Sequence, residues 1–126
     1  MRQYVYDSGA LIAIERLGKA LQDHEKRIGR GNQILVPSPV AAQVVREPRR
    51  QARLMLTLRG CRIVPFAKED AAPVGRLLGR AGTADVVDGF VVLTAAKSEA
   101  AIVSADGDDM KRLLEALGMR LPVLTP

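Results

Sequence analysis

The chain has 126 residues, of which 48% are hydrophobic and 26% are charged. This balance is typical of one globular domain and excludes a disordered or fibrous protein, and the single cysteine, Cys61, excludes an intrachain disulfide. Nineteen basic and 14 acidic side chains give a formal net charge of +5, while the apolar run at 9–14 is too short for a signal peptide or a membrane span. We therefore expect one cytoplasmic domain, residues 1–126, without a membrane segment.

The first part of the chain alternates short strands with helices. Tyr4–Tyr6 is composed of residues that favour strands, and Ser8 is expected to cap the helix that follows. A second, polar helix contains His24, the only histidine, which we interpret as a surface residue. Residues 34–36 form the next strand, and Ser38-Pro39 opens another helix in the favoured order of cap and proline.

Pro48 interrupts that helix, and the pattern after it predicts a basic amphipathic helix. Its apolar positions are Leu54, Met55 and Leu58, and its arginines, Arg49, Arg50, Arg53 and Arg59, lie largely on the other side. The apolar positions need not be buried fully in their own domain. We therefore expect them to form the patch of a homodimer.

The rest of the chain continues the alternation. Strands are predicted at 61–64, 101–104 and, at an edge, 121–124, and helices at 67–78, 86–96 and 110–117. The strands read as continuous apolar runs, which indicates burial on both faces. The predicted fold class is α/β: a single domain with a mostly parallel central sheet flanked by helices on both faces.

Charge is segregated along the sequence. Residues 46–62 contain six arginines and one glutamate, whereas residues 85–109 contain six acids and one lysine. Such a chain can present a basic surface to a polyanion beside an acidic pocket, although a solvated arginine-rich face would give the same pattern. Aromatic residues make up only 3% of the chain, so any contact with nucleic acid is expected to be mostly with phosphates.

Carboxylates are predicted where ligands bind to an open parallel sheet, beyond the carboxyl ends of the strands. Asp7 follows the first strand, Asp106 follows the strand ending at Ser104, and Asp85 and Asp88 begin the buried helix. Converging carboxylates repel each other unless a cation lies between them, and a set of oxygen ligands favours Mg²⁺ or Mn²⁺ over zinc. The alternative is that these acids are helix caps, because the Asp85/Asp88 spacing also fits a capping pair.

Four segments resemble PIN domains, specifically the VapC-like ribonuclease toxins of bacterial type II toxin–antitoxin pairs. The segments are residues 4–13, 36–42, 85–95 and 103–109, and they occur in the family's order over residues 4–117. The resemblance implies a metal-dependent endoribonuclease held silent by a cognate antitoxin. It places the metal ligands at Asp7, Asp88 and Asp106, a small hydroxyl residue beside the site at Ser104, and outer participants at Asp85 and Asp109.

One position departs from the family pattern. The family usually has glutamate near the start of the helix after the second strand, where this chain has Gln43. An amide lacks the negative charge that holds Mg²⁺, and either Glu47 or, preferably, Asp85 could restore it. The site is thus either active with a rearranged set of acids, or weakened in a PIN domain that acts as a protein- or RNA-binding module.

In the active case, the arginines Arg46, Arg49, Arg50 and Arg53 are expected to hold the RNA backbone without reading its sequence. A phospho-receiver domain has a similar length and an acidic pocket. It would have adjacent acids after the first strand, however, and here Ser8 follows Asp7.

Overall fold

A computed structural model of the chain describes residues 2–126. Five strands form one sheet in this range: Gln3–Tyr6 (β1), Gln33–Pro37 (β2), Arg62–Val64 (β3), Ala101–Val103 (β4) and Val123–Leu124 (β5). Seven α-helices connect them: Ser8–Glu15 (α1), Lys19–Gly29 (α2), Ser38–Val44 (α3), Ala52–Arg59 (α4), Ala71–Ala81 (α5), Val86–Ser98 (α6) and Gly107–Leu117 (α7). Two 3₁₀ turns, Pro48–Arg50 and Lys68–Asp70, precede α4 and α5. None of the helices formed by residues 2–126 has the length and apolar character needed to span a membrane.

The strand order is β3-β2-β1-β4-β5, and every pairing within the described residues is parallel. The chain builds outward from β1 to β3 on one side and then returns to β4 on the other, so β1 and β4 meet where the direction reverses. Helices α1 to α4 pack together on one face, and α5 to α7 on the opposite face. The predicted α/β class, with a parallel sheet between helices, is confirmed.

The buried helix α6 lies at the centre of this second helical layer and contacts β1, β2 and β4. Residues 89–95 of α6 are buried continuously, as expected from their apolar sequence. Gly89 allows α5 to approach closely, because a Cβ atom there would lie 2.9 Å from Leu78 Cδ2 and 3.2 Å from Val74 Cγ1. The packing of α5 on α6 therefore fixes the position of the start of α6, where Asp85 and Asp88 lie.

The predicted basic helix 49–59 is shorter than expected. Arg49 and Arg50 lie in the 3₁₀ turn, and only Arg53 and Arg59 belong to α4. The break lies at Gln51, whose φ of −122° and ψ of 44° are not helical, so the turn at Pro48–Arg50 does not continue into α4. The arginines at 49 and 53 therefore do not form one helical face.

The prediction that Leu54, Met55 and Leu58 form an apolar patch for a homodimer is wrong. Leu54 and Leu58 are buried in the domain's own core, and Met55 is partly buried against it. The position that faces solvent is Leu56, which is 66% exposed. The apolar face of α4 packs against α1 and β3. These three side chains therefore do not form an exposed patch that could join two copies of the chain.

The prediction that His24 is a surface residue is also wrong. His24 is buried, and its Nδ1 lies 2.7 Å from the Tyr6 hydroxyl. Arg27 Nη1 donates to the same hydroxyl oxygen at 3.1 Å, so the Tyr6 hydroxyl joins His24 and Arg27 in one hydrogen-bonded cluster. Burial, followed by the nearby Arg27 charge, lowers the pKa of His24.

This arrangement predicts a pH effect on stability. Because the folded pKa of His24 lies below its unfolded value of about 6.5, the unfolded chain binds more protons in acid, and stability is lost as the pH falls below that value. We expect the free energy of unfolding to fall more from pH 8 to pH 5 in the wild type than in His24→Gln, whose uncharged amide can still form a hydrogen bond with Tyr6. Urea unfolding of both proteins at the two pH values measures the difference, and equal losses would contradict it.

Candidate metal and nuclease site

The first acid, Asp7, lies at the carboxyl end of β1 beside β4, where the strand order of the sheet reverses. Asp7 follows β1 directly, and its N–H donates to the carbonyl of Val103 in β4 at 3.2 Å. Asp7 rather than Ser8 caps α1, because its Oδ1 accepts from the Ala10 N–H at 2.8 Å. Open parallel sheets bind ligands in the crevice at such a reversal point. The cap thus holds a carboxylate at the place where this fold is expected to bind a ligand.

The second carboxylate oxygen of Asp7 accepts a hydrogen bond from the residue that follows β4. The Ser104 hydroxyl donates to Asp7 Oδ2 at 2.6 Å, and the Asp106 N–H donates to Ser104 Oγ at 2.8 Å. Burial raises the pKa of Asp7, and the charge of Asp106 adds to this rise, while the bonds from Ser104 and Ala10 oppose it. Ser104 therefore orients the buried carboxylate and joins it to the Asp106 loop, which agrees with its predicted place beside the site.

Gly9 allows the start of α1 to pack closely against the loop after β4. A Cβ atom at position 9 would lie 2.5 Å from the Cβ of Ala105 and 3.4 Å from Asp7 Oδ1. The start of α1 and the loop after β4 can therefore approach each other only without a side chain at this position. The sequence pattern did not indicate this role, because the contact joins residues that are distant in the chain.

The start of α6 supplies the next acids. Asp85 caps α6, its Oδ1 accepting from the Asp88 N–H at 3.0 Å. The pKa of Asp88 is raised to about 7, first by burial and then by the charges of Asp85, Asp7, Asp106 and Asp109. These causes place all five carboxylates in one electrostatic environment, although they come from three separate parts of the chain. The structure therefore brings the predicted ligands Asp7, Asp88 and Asp106 to one region.

The donor set fits a hard divalent cation. It contains only oxygen donors, neighbouring negative charges add to the raised pKa values of Asp7 and Asp88, and such repulsion is relieved by a bound cation such as Mg²⁺ or Mn²⁺. As the side chains stand, no group of three or more Asp, Glu, His or Cys residues within 2–126 is arranged to hold a metal ion. Binding would therefore require side chains of these acids to rearrange.

A small pocket of about 100 Å³ lies beside these acids. It is lined by Thr83, Asp85, Asp88, Asp109, Arg112 and Leu113. Thr83 and Arg112 were not found from the sequence, because neither belongs to a recognisable motif. The one available signal was the spacing of Asp109 and Arg112, which puts them on one face of α7.

The remaining predicted residues lie elsewhere. Gln43 is exposed on α3, and Glu47 is paired with Arg50, its Oε2 lying 3.3 Å from Arg50 Nε. Arg49 and Arg53 line two surface grooves that contain none of the five site acids. Glu47 is absent from the charges that raise the pKa of Asp88, so Asp85 is the better candidate for replacing the charge lost at Gln43.

The capping role of Asp85 predicts how its substitution changes the stability of the fold and the pKa of Asp88. Because asparagine caps as well as aspartate, we expect Asp85→Asn to change the free energy of unfolding by no more than about 0.5 kcal/mol, and Asp85→Ala to cost about 1 kcal/mol. Asp85→Asn should also lower the pKa of Asp88, because Asp85 is the first of the charges that raise it. Urea unfolding and NMR titration of the Asp88 carboxyl carbon measure both effects. Equal destabilisation by Asn and Ala would contradict the capping role.

Residues 4–115 of the chain match the PIN domain family. The fold is similar to that of VapBC2 from Rickettsia felis bound to a DNA fragment from their promoter, with a TM-score of 0.73 and 16% identity over 98% of both chains. It is also similar to FitAcB from Neisseria gonorrhoeae, with a TM-score of 0.65 and 14% identity over 96% of both chains. A third similar structure is PAE2754 from Pyrobaculum aerophilum, with a TM-score of 0.63 and 16% identity over 97% of this chain and 83% of the other. No curated protein matches the sequence.

Proposed function

The chain belongs to the PIN domain family, and we propose that it is a Mg²⁺- or Mn²⁺-dependent endoribonuclease, the toxin of a toxin–antitoxin pair acting in the cytoplasm. PIN domains are generally nucleases and generally use divalent metal ions. The observation that carries the proposal is the convergence of five carboxylates at the reversal point of the sheet, where Asp88 has a pKa of about 7. Helix caps isolated from one another would not leave four negative charges acting on the pKa of Asp88.

In this proposal Asp7, Asp88 and Asp106 would hold the cation. When bound, a divalent ion lowers the pKa of a water molecule and neutralises charge developing on the scissile phosphate. Ser104 keeps the Asp7 carboxylate fixed through its 2.6 Å bond, and such orienting partners matter to metal sites. Because the pKa of Asp88 is about 7, part of this carboxyl is protonated near neutral pH, and binding of a cation there would release that proton. His24 takes no part, because its ring is buried against Tyr6 between α2 and the sheet.

RNA as substrate, the cognate antitoxin and the homodimer are further parts of the proposal. Their support is the family resemblance and the similarity of the fold to VapBC2 and FitAcB. Among the four arginines predicted to bind RNA, Arg46 donates to the carbonyls of Ala42 and Val45, and Arg50 pairs with Glu47. Arg49 and Arg53 have no such partner within residues 2–126 and are the better candidates for contacts with RNA phosphates.

A second candidate function is a PIN domain with weakened metal binding that acts as a binding module. The observation in its favour is that Gln43 is exposed and Glu47 is engaged with Arg50, so the glutamate expected in the family has no direct replacement. The phospho-receiver alternative has no remaining basis, because the sequence matches the PIN family over residues 4–115.

Cleavage of a structured RNA by the purified chain, with Mg²⁺, Mn²⁺ or EDTA, tests the proposal. We expect cleavage of RNA with either metal and none in EDTA, and much slower cleavage of DNA of the same sequence. RNA binding without cleavage under any metal condition would instead support the binding module.

A further inference from the structure

Arg112 lies on α7, three residues after Asp109, and is exposed. It lines the same small pocket as Asp85, Asp88 and Asp109. It is the only basic side chain among the residues lining that pocket. The lining of this acidic pocket therefore includes one exposed positive charge.

Despite three nearby carboxylates, Arg112 forms no ion pair and no side-chain hydrogen bond within residues 2–126. Lys19, Arg50 and Lys97 each pair with an acid at 2.9, 3.3 and 2.8 Å, so basic side chains do engage acids elsewhere in the molecule. Arg112 is also absent from the main causes that set the pKa of Asp88. Its guanidinium thus keeps its donors available at the edge of the pocket.

A phosphodiester chain that approaches five carboxylates is repelled by them. A bound cation removes part of this repulsion at the scissile phosphate, but the neighbouring phosphates still face the acids. An arginine at the rim offers a fixed positive charge with a planar fork of donors, which matches two phosphate oxygens at once. The α7 backbone is anchored by the buried Met110, Leu113 and Leu114, so the base of this side chain has a defined position.

We propose that Arg112 binds an RNA phosphate adjacent to the one that is cleaved, and thereby aligns the strand across the carboxylates. This inference rests on the proposed function for the identity of the polyanion. It differs from the role predicted for Arg49 and Arg53, which lie in grooves separate from the acids and can contribute only to more distant contacts. It names a substrate-binding residue in the acidic pocket itself.

The test compares Arg112→Ala and Arg112→Lys with Lys111→Ala. Lys111 is the adjacent exposed base on α7 and does not line the pocket, so its removal changes the net charge equally. RNA affinity is measured in EDTA over a range of salt concentrations, where metal-dependent cleavage cannot proceed. Arg112→Ala is expected to weaken binding about tenfold and to reduce the salt slope by about 0.7. Arg112→Lys should retain the slope, since lysine preserves the charge, but bind less tightly because it lacks the fork.

Single-turnover cleavage with Mg²⁺ supplies a second readout. We expect Arg112→Ala to raise the RNA concentration needed for half-maximal rate about tenfold, with a smaller change in the maximal rate and unchanged Mn²⁺ affinity. Equal salt slopes for Arg112→Ala and Lys111→Ala would overturn the inference. A wild type that binds RNA but never cleaves it would count against the proposed function, while the comparison of slopes in EDTA would still decide the role of Arg112.

Discussion

Replacing Asp88 with asparagine is expected to weaken Mn²⁺ binding by at least about a hundredfold and to abolish metal-dependent cleavage. Changes to groups that merely orient a metal ligand cost 10–100-fold, so loss of a ligand charge should reach or exceed the upper end of that range. The fold should survive, because Asp88 makes no side-chain hydrogen bond within residues 2–126 and four like charges repel it. The variant should therefore be at least as stable as the wild type without metal at pH 8.

The raised pKa of Asp88 predicts how Mn²⁺ affinity and stability depend on pH. Because the pKa of Asp88 is about 7, metal must displace a proton below that pH, and Mn²⁺ affinity should rise about tenfold per pH unit up to pH 7 before levelling off. In the metal-free protein the raised pKa makes the folded state bind the extra proton, so this group's contribution to stability falls as the pH rises from about 4 to 7.

Calorimetric titration of Mn²⁺ between pH 5 and 8 measures the affinity of the wild type and of Asp88→Asn, and urea unfolding without metal measures the change in stability. Asp108→Asn is the matched control, since Asp108 is an exposed acid in the first turn of α7 that is absent from the main causes at Asp88. Equal Mn²⁺ affinities of Asp88→Asn and Asp108→Asn would contradict the assignment of Asp88 as a metal ligand.

Gly9→Ala is expected to destabilise the fold by about 1–3 kcal/mol, the usual cost of an overpacked contact, and to lower activity. The added Cβ would lie 2.5 Å from Ala105 Cβ. That atom cannot swing aside as the end of a long side chain can. Either α1 or the loop after β4 must move, and both carry groups of the site.

The clash can be relieved from the other side. Ala105→Gly in the Gly9→Ala background removes the opposing Cβ and should restore most of the stability and the cleavage rate. Gly75→Ala is the control, because nothing lies within 4 Å of a Cβ at that position of α5, and alanine there should stabilise the helix by about 0.5–1 kcal/mol. Urea unfolding of the wild type, these three variants and Ala105→Gly alone gives the comparison. An additive loss in the double variant would show that the two positions do not interact.

The features that sequence predicted well are those with a local cause. Ile34–Val36 and residues 89–95 are buried, and their apolar runs predicted a strand and the buried helix, although Val86 at the start of that helix is 48% exposed. Asp7 and Asp106 come after strands whose carboxyl ends a parallel sheet must align at one edge, so their proximity followed from the fold class. The helix cap at Asp85 followed from its spacing to Asp88.

The features that sequence did not predict depend on contacts between distant segments. His24 looks like a surface residue in a polar helix, but Tyr6 and Arg27 bury it in a hydrogen-bonded cluster. Leu54 and Leu58 were assigned to a partner because nothing local shows that α1 covers α4. Gly9, Thr83 and Arg112 have roles only through the neighbours that folding brings to them.

A crystal structure of the protein soaked in Mn²⁺ at pH 8, with anomalous data, tests the central claim most directly. We expect an anomalous peak bound by oxygen atoms of Asp7, Asp88 and Asp106. A peak coordinated instead by Asp85 and Asp109 in the small pocket, or saturating Mn²⁺ with no density between Asp7, Asp88 and Asp106, would contradict it.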